Sequence, residues 1–198
     1  MASSVRVVRF INIAHALDHL VMLIFPTALL GMGDYFGLSY GELIALSLGG
    51  FIAFGAGSLP AGWLGDKWSR RNMMALFFFG VGGATILTAF ATTPFMLAAS
   101  LTLIGVFAAI YHPVGTAMLI GHAQNRLGKT IGVNGVWGNV GVAVAALFTG
   151  ALTQYVDWRA AFVVPGLAAL ALGAAFLALV PDEPRSARQS VKRASAAL

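Results

Sequence analysis

The sequence predicts an all-α, polytopic membrane protein with six transmembrane helices, and three observations carry that prediction. Of its 198 residues, 59% are hydrophobic and 10% charged, with a mean hydropathy of +0.84, whereas a soluble domain carries about 25% charged residues. Apolar runs repeatedly reach the roughly 20 residues that a helix needs to cross a hydrocarbon core about 30 Å thick. The basic residues gather on one side of those runs. Lipid offers no water to backbone N–H and C=O groups, so runs of this length must be helical. Segments of about 10 residues alternating apolar and polar, which would signal a transmembrane barrel, are not seen.

Taken in order, the apolar runs place spans at Val8–Leu30, Glu42–Trp63, Asn72–Ala91, Pro94–Ile120, Thr130–Tyr155 and Trp158–Val180. The first closes at Gly33-Asp-Tyr-Phe-Gly37, the second at Gly65-Asp-Lys-Trp-Ser-Arg-Arg71 and the third at Thr92-Thr-Pro94. The fourth closes at the polar stretch from His122 to Lys129, the fifth at Val156-Asp-Trp158 and the sixth at Pro181. The first run is too long for a signal-peptide core and lacks a small-residue cleavage site, so it is read as a retained span. Ala2 excludes myristoylation. Residues 1–184 then form one six-helix domain, and residues 185–198 a basic cytoplasmic tail that meets anionic headgroups.

Charge fixes the expected orientation. Eleven of the 12 Lys and Arg residues fall on one side: Arg6, Arg9, Lys67, Arg70, Arg71, Arg126, Lys129, Arg185, Arg188, Lys192 and Arg193, against Arg159 alone opposite. The positive-inside rule puts that side, with both termini, in the cytoplasm, as an even number of spans requires. The net charge of +5 is therefore topogenic, and nucleic acid is not an expected partner. No cysteine is present, which excludes disulfides, thiol nucleophiles and cysteine-ligated zinc. No nucleotide-binding motif or nucleophile–base pair appears, so neither an enzyme nor a cofactor is expected and no catalytic residue is assigned.

Glycine is abundant inside the spans, at 49, 50, 55 and 57, at 80, 82 and 83, and at 132, 135, 138 and 141. Small residues let helix backbones approach closely in lipid, so these positions read as packing surfaces that also permit sliding.

The loop after the second span reads Gly62-Trp-Leu-Gly-Asp66-Lys67-Trp-Ser-Arg70-Arg71. It resembles the signature loop of the major facilitator superfamily: a glycine, an acid four residues on followed by a base, then paired bases. Ser69 stands where that family usually has glycine. Gly150 to Phe162, ending Asp-Trp-Arg-Ala-Ala-Phe, is similar to the family's entry to span six, and Pro181-Asp-Glu-Pro184 to its exit. Within the superfamily, His15-Ala-Leu-Asp18 and Tyr111-His112-Pro113-Val-Gly115 are similar to exporters of the fosmidomycin-resistance type. The resemblance implies one half of a major facilitator fold, built as a 3+3 inverted repeat, in a bacterial inner membrane. It also implies a gating loop, in which Asp66 accepts backbone N–H groups or pairs with Arg70 to hold the cytoplasmic face shut. Lys67, Arg70 and Arg71 are equally topogenic charges.

Ionisable groups inside a span are costly unless they face protein or a cavity, so each is a candidate site. His15, Asp18 and His19 share a face of the first helix through their i, i+3, i+4 spacing. Asp18 is the expected proton carrier, with His15 and His19 its partners. The alternative is that both histidines only satisfy Asp18 in a buried network. A metal site is not expected: four histidines are too few for a membrane di-iron centre, and no clustered carboxylates accompany His15 and His19. Tyr111, His112, Asn134, Trp137 and Asn139 carry donors, acceptors and aromatic surface to membrane depth and are the expected substrate contacts. Pro113 should kink or loosen the fourth helix beside them.

The expected activity is proton-coupled secondary transport of a small organic solute, as efflux by alternating access, and one chain alone is expected to be half of the working unit, since the family's transporters have two six-helix halves. A parallel homodimer, with lipid around it and substrate on its axis, restores that arrangement. The competing expectations are a non-transporting membrane subunit, or an N-terminal half completed by another chain.

Overall fold

The computed structural model describes residues 2–182. The basic tail at 185–198 and the exit residues Glu183 and Pro184 lie outside the described residues. Within them are six helices long and apolar enough to cross a membrane: Ser4–Gly31, Tyr40–Lys67, Arg70–Ala89, Pro94–His122, Leu127–Tyr155 and Trp158–Leu179. Each lies close to an expected span, with ends moved by a few residues where caps extend it. Ser39 opens the second through a capping box with Glu42, Thr93 caps the fourth and Asp157 the sixth, each supplying an acceptor to otherwise orphaned N–H groups.

The first span ends in a 3-10 turn at Leu29–Gly31, and two spans are irregular in their interiors. The second loosens at Leu46 and Ser47, where the Ser47 hydroxyl donates to the Ile44 carbonyl at 2.6 Å. The fourth passes through a π turn at Tyr111–Gly115, centred on the proline expected to disturb it. Proline has no N–H to give, and a π turn accommodates the missing bond by widening the helix locally.

The helices associate in three principal pairs: first with fifth, second with fourth, third with sixth. Exchanging the first three spans for the last three maps the first pair onto the second and the third pair onto itself. Close approach depends on glycine at all three seams, with Gly82 of the third span and Gly166 of the sixth each facing the other's carbonyl oxygen. Gly105 of the fourth span lies directly on the backbone of Gly50 in the second, and Gly141 of the fifth on the backbone of Ala16 in the first. A side chain on Gly105 or Gly141 would collide with main-chain atoms that cannot rotate away. Gly55, Gly83, Gly132 and Gly135, expected at packing surfaces, instead face open space within the chain.

The beginning of the first span, the loop at 67–71 and the end of the sixth span meet at one end of the bundle. Arg6 donates to the Leu179 carbonyl at 3.0 Å, and Arg71 donates to the carbonyls of Leu177 and Val180. An even number of spans requires this geometry. Exposure is uneven: 61% of the third span's most apolar stretch is buried, but only 17% of the second's and 22% of the fifth's. The second and fifth therefore present long apolar faces outward, including Leu48, Ile52 and Leu59, and Val136, Val140 and Leu147.

Candidate functional site: a histidine and carboxylate cluster inside the bundle

The first span brings Asp18 to mid-bundle. At a rise of about 1.5 Å per residue it sits about 21 Å from Ser4. His112 of the fourth span lies about 15 Å from the end at His122, so the two residues meet near the middle of a core about 30 Å thick. Asp18 is 1% exposed, and neither carboxylate oxygen accepts a hydrogen bond from the described residues. An imidazole faces it, that of His112, whose Nε2 is 3.5 Å from Oδ2. The imidazole paired with this carboxylate thus comes from another helix, and His112, expected as a substrate contact, joins the group expected to carry protons. The first-span histidines do meet each other: His19 Nε2 is 3.1 Å from His15 Nε2, as i, i+4 spacing allows.

The proton positions follow from partner chemistry. His15 Nδ1 lies 2.8 Å from the main-chain carbonyl oxygen of Asn134, which can only accept, so Nδ1 carries hydrogen. In the neutral ring, Nε2 is then a bare acceptor, and His19 Nε2 must donate to it. One hydrogen thus holds the two rings together. Gly138 makes room for this arrangement, since a methyl there would fall 2.7 Å from His15 Cε1.

Tyr111 locks the fourth span to the first and fifth. Its ring stacks on His15 with centroids 4.9 Å apart and 23° between planes. Its hydroxyl donates to the Ile11 carbonyl at 3.1 Å and accepts from Asn134 Nδ2 at 3.0 Å. The same Asn134 amide donates to Asn12 Oδ1 at 3.0 Å. His112 is further framed edge-on by Phe54 of the second span, at 5.7 Å. Four spans therefore converge on one partly open cluster of three imidazoles and one buried carboxylate.

The loop at 62–71 forms a second constellation. Arg70 Nη2 donates to Asp66 Oδ1 at 2.9 Å, so the pairing expected of Asp66 is present, across one turn where the second span ends and the third begins. Lys67 is exposed. Arg71 is committed to the end of the sixth span through the Leu177 and Val180 carbonyls. Ser69 does not need the freedom of glycine: its φ of −162° is extended backbone. Its buried hydroxyl accepts from Asn72 N at 3.1 Å and donates to Asp182 Oδ1 at 2.7 Å. The serine thus caps the third span and ties the turn to Asp182, three residues beyond the sixth span, using chemistry that glycine lacks.

Comparison with known proteins agrees with this architecture. The family model described as Major Facilitator Superfamily matches residues 11–197. The chain belongs to the major facilitator superfamily. That is a family of transporters, which sets the chain among transporters rather than enzymes. A curated relative is the puromycin resistance protein pur8 of Streptomyces alboniger, 34% identical over 139 residues, covering 69% of this chain and 27% of the relative. The fold is similar to a bacterial homologue of the human lysosomal transporter Spinster, solved inward-facing and unoccupied, with a TM-score of 0.82 and 17% identity. That match covers 92% of this chain and 44% of the Spinster homologue. A POT family transporter in complex with 5-aminolevulinic acid gives a TM-score of 0.62 at 17% identity, over 87% of this chain and 36% of the transporter. This superfamily member therefore spans less than half the length of each of the three.

Two expected substrate contacts lie apart from the cluster. Trp137 is 39% exposed and Asn139 is exposed, both on the fifth span, whose buried line runs through Asn134, Gly138 and Gly141. Asn12, 6% exposed, was not among the expected site residues although it holds Asn134 in place. Its signal was available, since it is an amide within an apolar span, one turn before His15.

Proposed function

We propose that this chain is a proton-coupled secondary transporter of a small organic solute, working in the exporting direction by alternating access. The observation that carries the reading is Asp18, a carboxylate buried at mid-bundle without a hydrogen-bond donor among the described residues and faced by an imidazole from another span. Such a group is expensive in lipid and is kept where it does work. Its carboxylate and the facing His112 supply two proton sites on two helices, so movement of the fourth span against the first changes what each can pair with. The open sides of His15, His19 and His112 supply the contacts for the solute. The name of the curated relative, a puromycin resistance protein, favours export and makes puromycin the first solute to try.

The remaining assignments rest on pattern. Eleven basic residues to one support a bacterial inner membrane protein with both termini in the cytoplasm and the Asp66–Arg70 loop as a gate on that side. The exchange symmetry of the three helix pairs supports a 3+3 inverted repeat. The exposed faces of the second and fifth spans support a parallel homodimer about an axis along the membrane normal, which brings Trp137 and Asn139 toward the pathway. The same faces favour a second reading, in which a different chain supplies the other half.

The test is flux in liposomes holding the purified chain under an imposed pH gradient, with a panel of labelled organic solutes beginning with puromycin. Flux that follows the gradient and disappears in Asp18→Asn, with the variant still folded, supports proton coupling. Undiminished gradient-driven flux in that variant removes Asp18 from the mechanism. A stable monomer that carries no solute selects the second reading.

A further inference from the structure

We infer that His15, His19, His112 and Asp18 form a binding site for one divalent transition-metal cation of the zinc class. One donor nitrogen from each of the three histidines can be chosen so that all lie within 4.8 Å of one another. Ligands at tetrahedral corners, about 2.0–2.1 Å from zinc, stand about 3.3 Å apart. His15 Nε2 and His19 Nε2 are 3.1 Å apart and His112 Nε2 and Asp18 Oδ2 are 3.5 Å apart, so two edges of such a tetrahedron already have nearly the right length.

Ring chemistry points the same way. The bond from His15 Nδ1–H to the Asn134 carbonyl leaves Nε2 as the lone-pair face, turned toward the cluster. Histidine ligands are commonly oriented in this fashion, with the second nitrogen donating to a main-chain carbonyl. The independent observation is Asp18, 99% buried by its 1% exposure, with both oxygens lacking a hydrogen-bond partner among the described residues. A buried carboxylate is stabilised either by a proton or by a cation, and three neutral imidazoles beside it select a borderline-soft divalent ion over magnesium or calcium, which prefer all-oxygen shells. The sequence hid this set because His112 lies 97 positions beyond His15 in the chain. Once bound, the ion joins the first span to the π turn of the fourth. Where the transport reading holds, it also takes the carboxylate assigned to the proton, and zinc then inhibits flux.

The test uses the full chain, purified in detergent with an affinity tag free of histidine and stripped with chelator. Titration with Co²⁺ should give one equivalent with the intense visible absorption of four-coordinate cobalt, bleached by Zn²⁺. His112→Asn and His19→Asn should weaken binding by at least about 100-fold, beyond the 10–100-fold that loss of an outer partner typically costs. His122→Asn, at the far end of the fourth span, should leave it unchanged. Should the cluster variants fail to fold, the wild-type chain still decides: micromolar Zn²⁺ should raise its unfolding temperature and Mg²⁺ should not. Absence of a cobalt spectrum together with no zinc-induced rise overturns the site, as does full binding in His112→Asn. Flux measured in chelator tests the transport reading separately, so the two can fail independently.

Discussion

Replacing Gly141 by alanine tests the seam on which the cluster is built. A methyl at Gly141 would lie 2.8 Å from both the carbonyl carbon and the Cα of Ala16, and closer still to its carbonyl oxygen. These are backbone atoms, so no rotamer change relieves them. Ordinary carbon contacts are about 3.5–4.0 Å, and the first and fifth spans must part by about 1 Å. Overpacking of this kind costs about 1–3 kcal/mol, while alanine returns up to about 1 kcal/mol in helix propensity. Gly83→Ala supplies the control, because a methyl on that third-span glycine meets nothing within 4 Å and keeps only the propensity gain. The gap between the two variants should therefore equal the overpacking cost, about 1–3 kcal/mol, read as a separation of several degrees in thermal unfolding of the detergent-purified chains. Gly138→Ala should fall between them: its methyl meets the His15 ring, which can turn away at the expense of the bond to the Asn134 carbonyl. Equal stability of Gly141→Ala and Gly83→Ala would refute the packing described.

Other variants probe the remaining ties. Ser69→Gly restores the residue usual in the family's loop yet should cost about 1–2 kcal/mol, mostly from the lost hydrogen bond to Asp182, seen as a lower unfolding temperature. Tyr111→Phe should cost about 1–2 kcal/mol, since the Ile11 carbonyl and an Asn134 N–H both lose a partner inside the bundle. Arg71→Ala should destabilise by a similar amount by uncapping the Leu177 and Val180 carbonyls, and Arg71→Lys should recover part of it, since one ammonium cannot reproduce the fork of a guanidinium. A urea or thermal series on each purified variant measures all three.

The sequence alone determined the helices. Lipid leaves the backbone only the helix or the closed barrel, and apolar runs of about 20 residues select the helix, so hydropathy and turn residues were enough to place six spans within a few residues of those found. Charge asymmetry gave an expected orientation, and the Gly62–Arg71 loop gave a family that the match over residues 11–197 bears out. Local spacing also announced the His15–His19 contact, because neighbours on one helix face are set by the helical period. What spacing could not supply was which helix lies against which. His112 reaches Asp18, and Asn134 reaches both Tyr111 and His15, only because Gly138 and Gly141 let the first and fifth spans close and a π turn at Pro113 sets the fourth. The two contacts to the first span join residues about 100 positions apart and that of Asn134 with Tyr111 joins residues 23 apart, separations at which side-chain volume rather than sequence periodicity selects the partner. The tertiary structure likewise decided that Ser69 ties its turn to Asp182 and that Arg71 serves the end of the sixth span. Both depend on the sixth helix ending beside that turn, a matter of packing that no local pattern encodes.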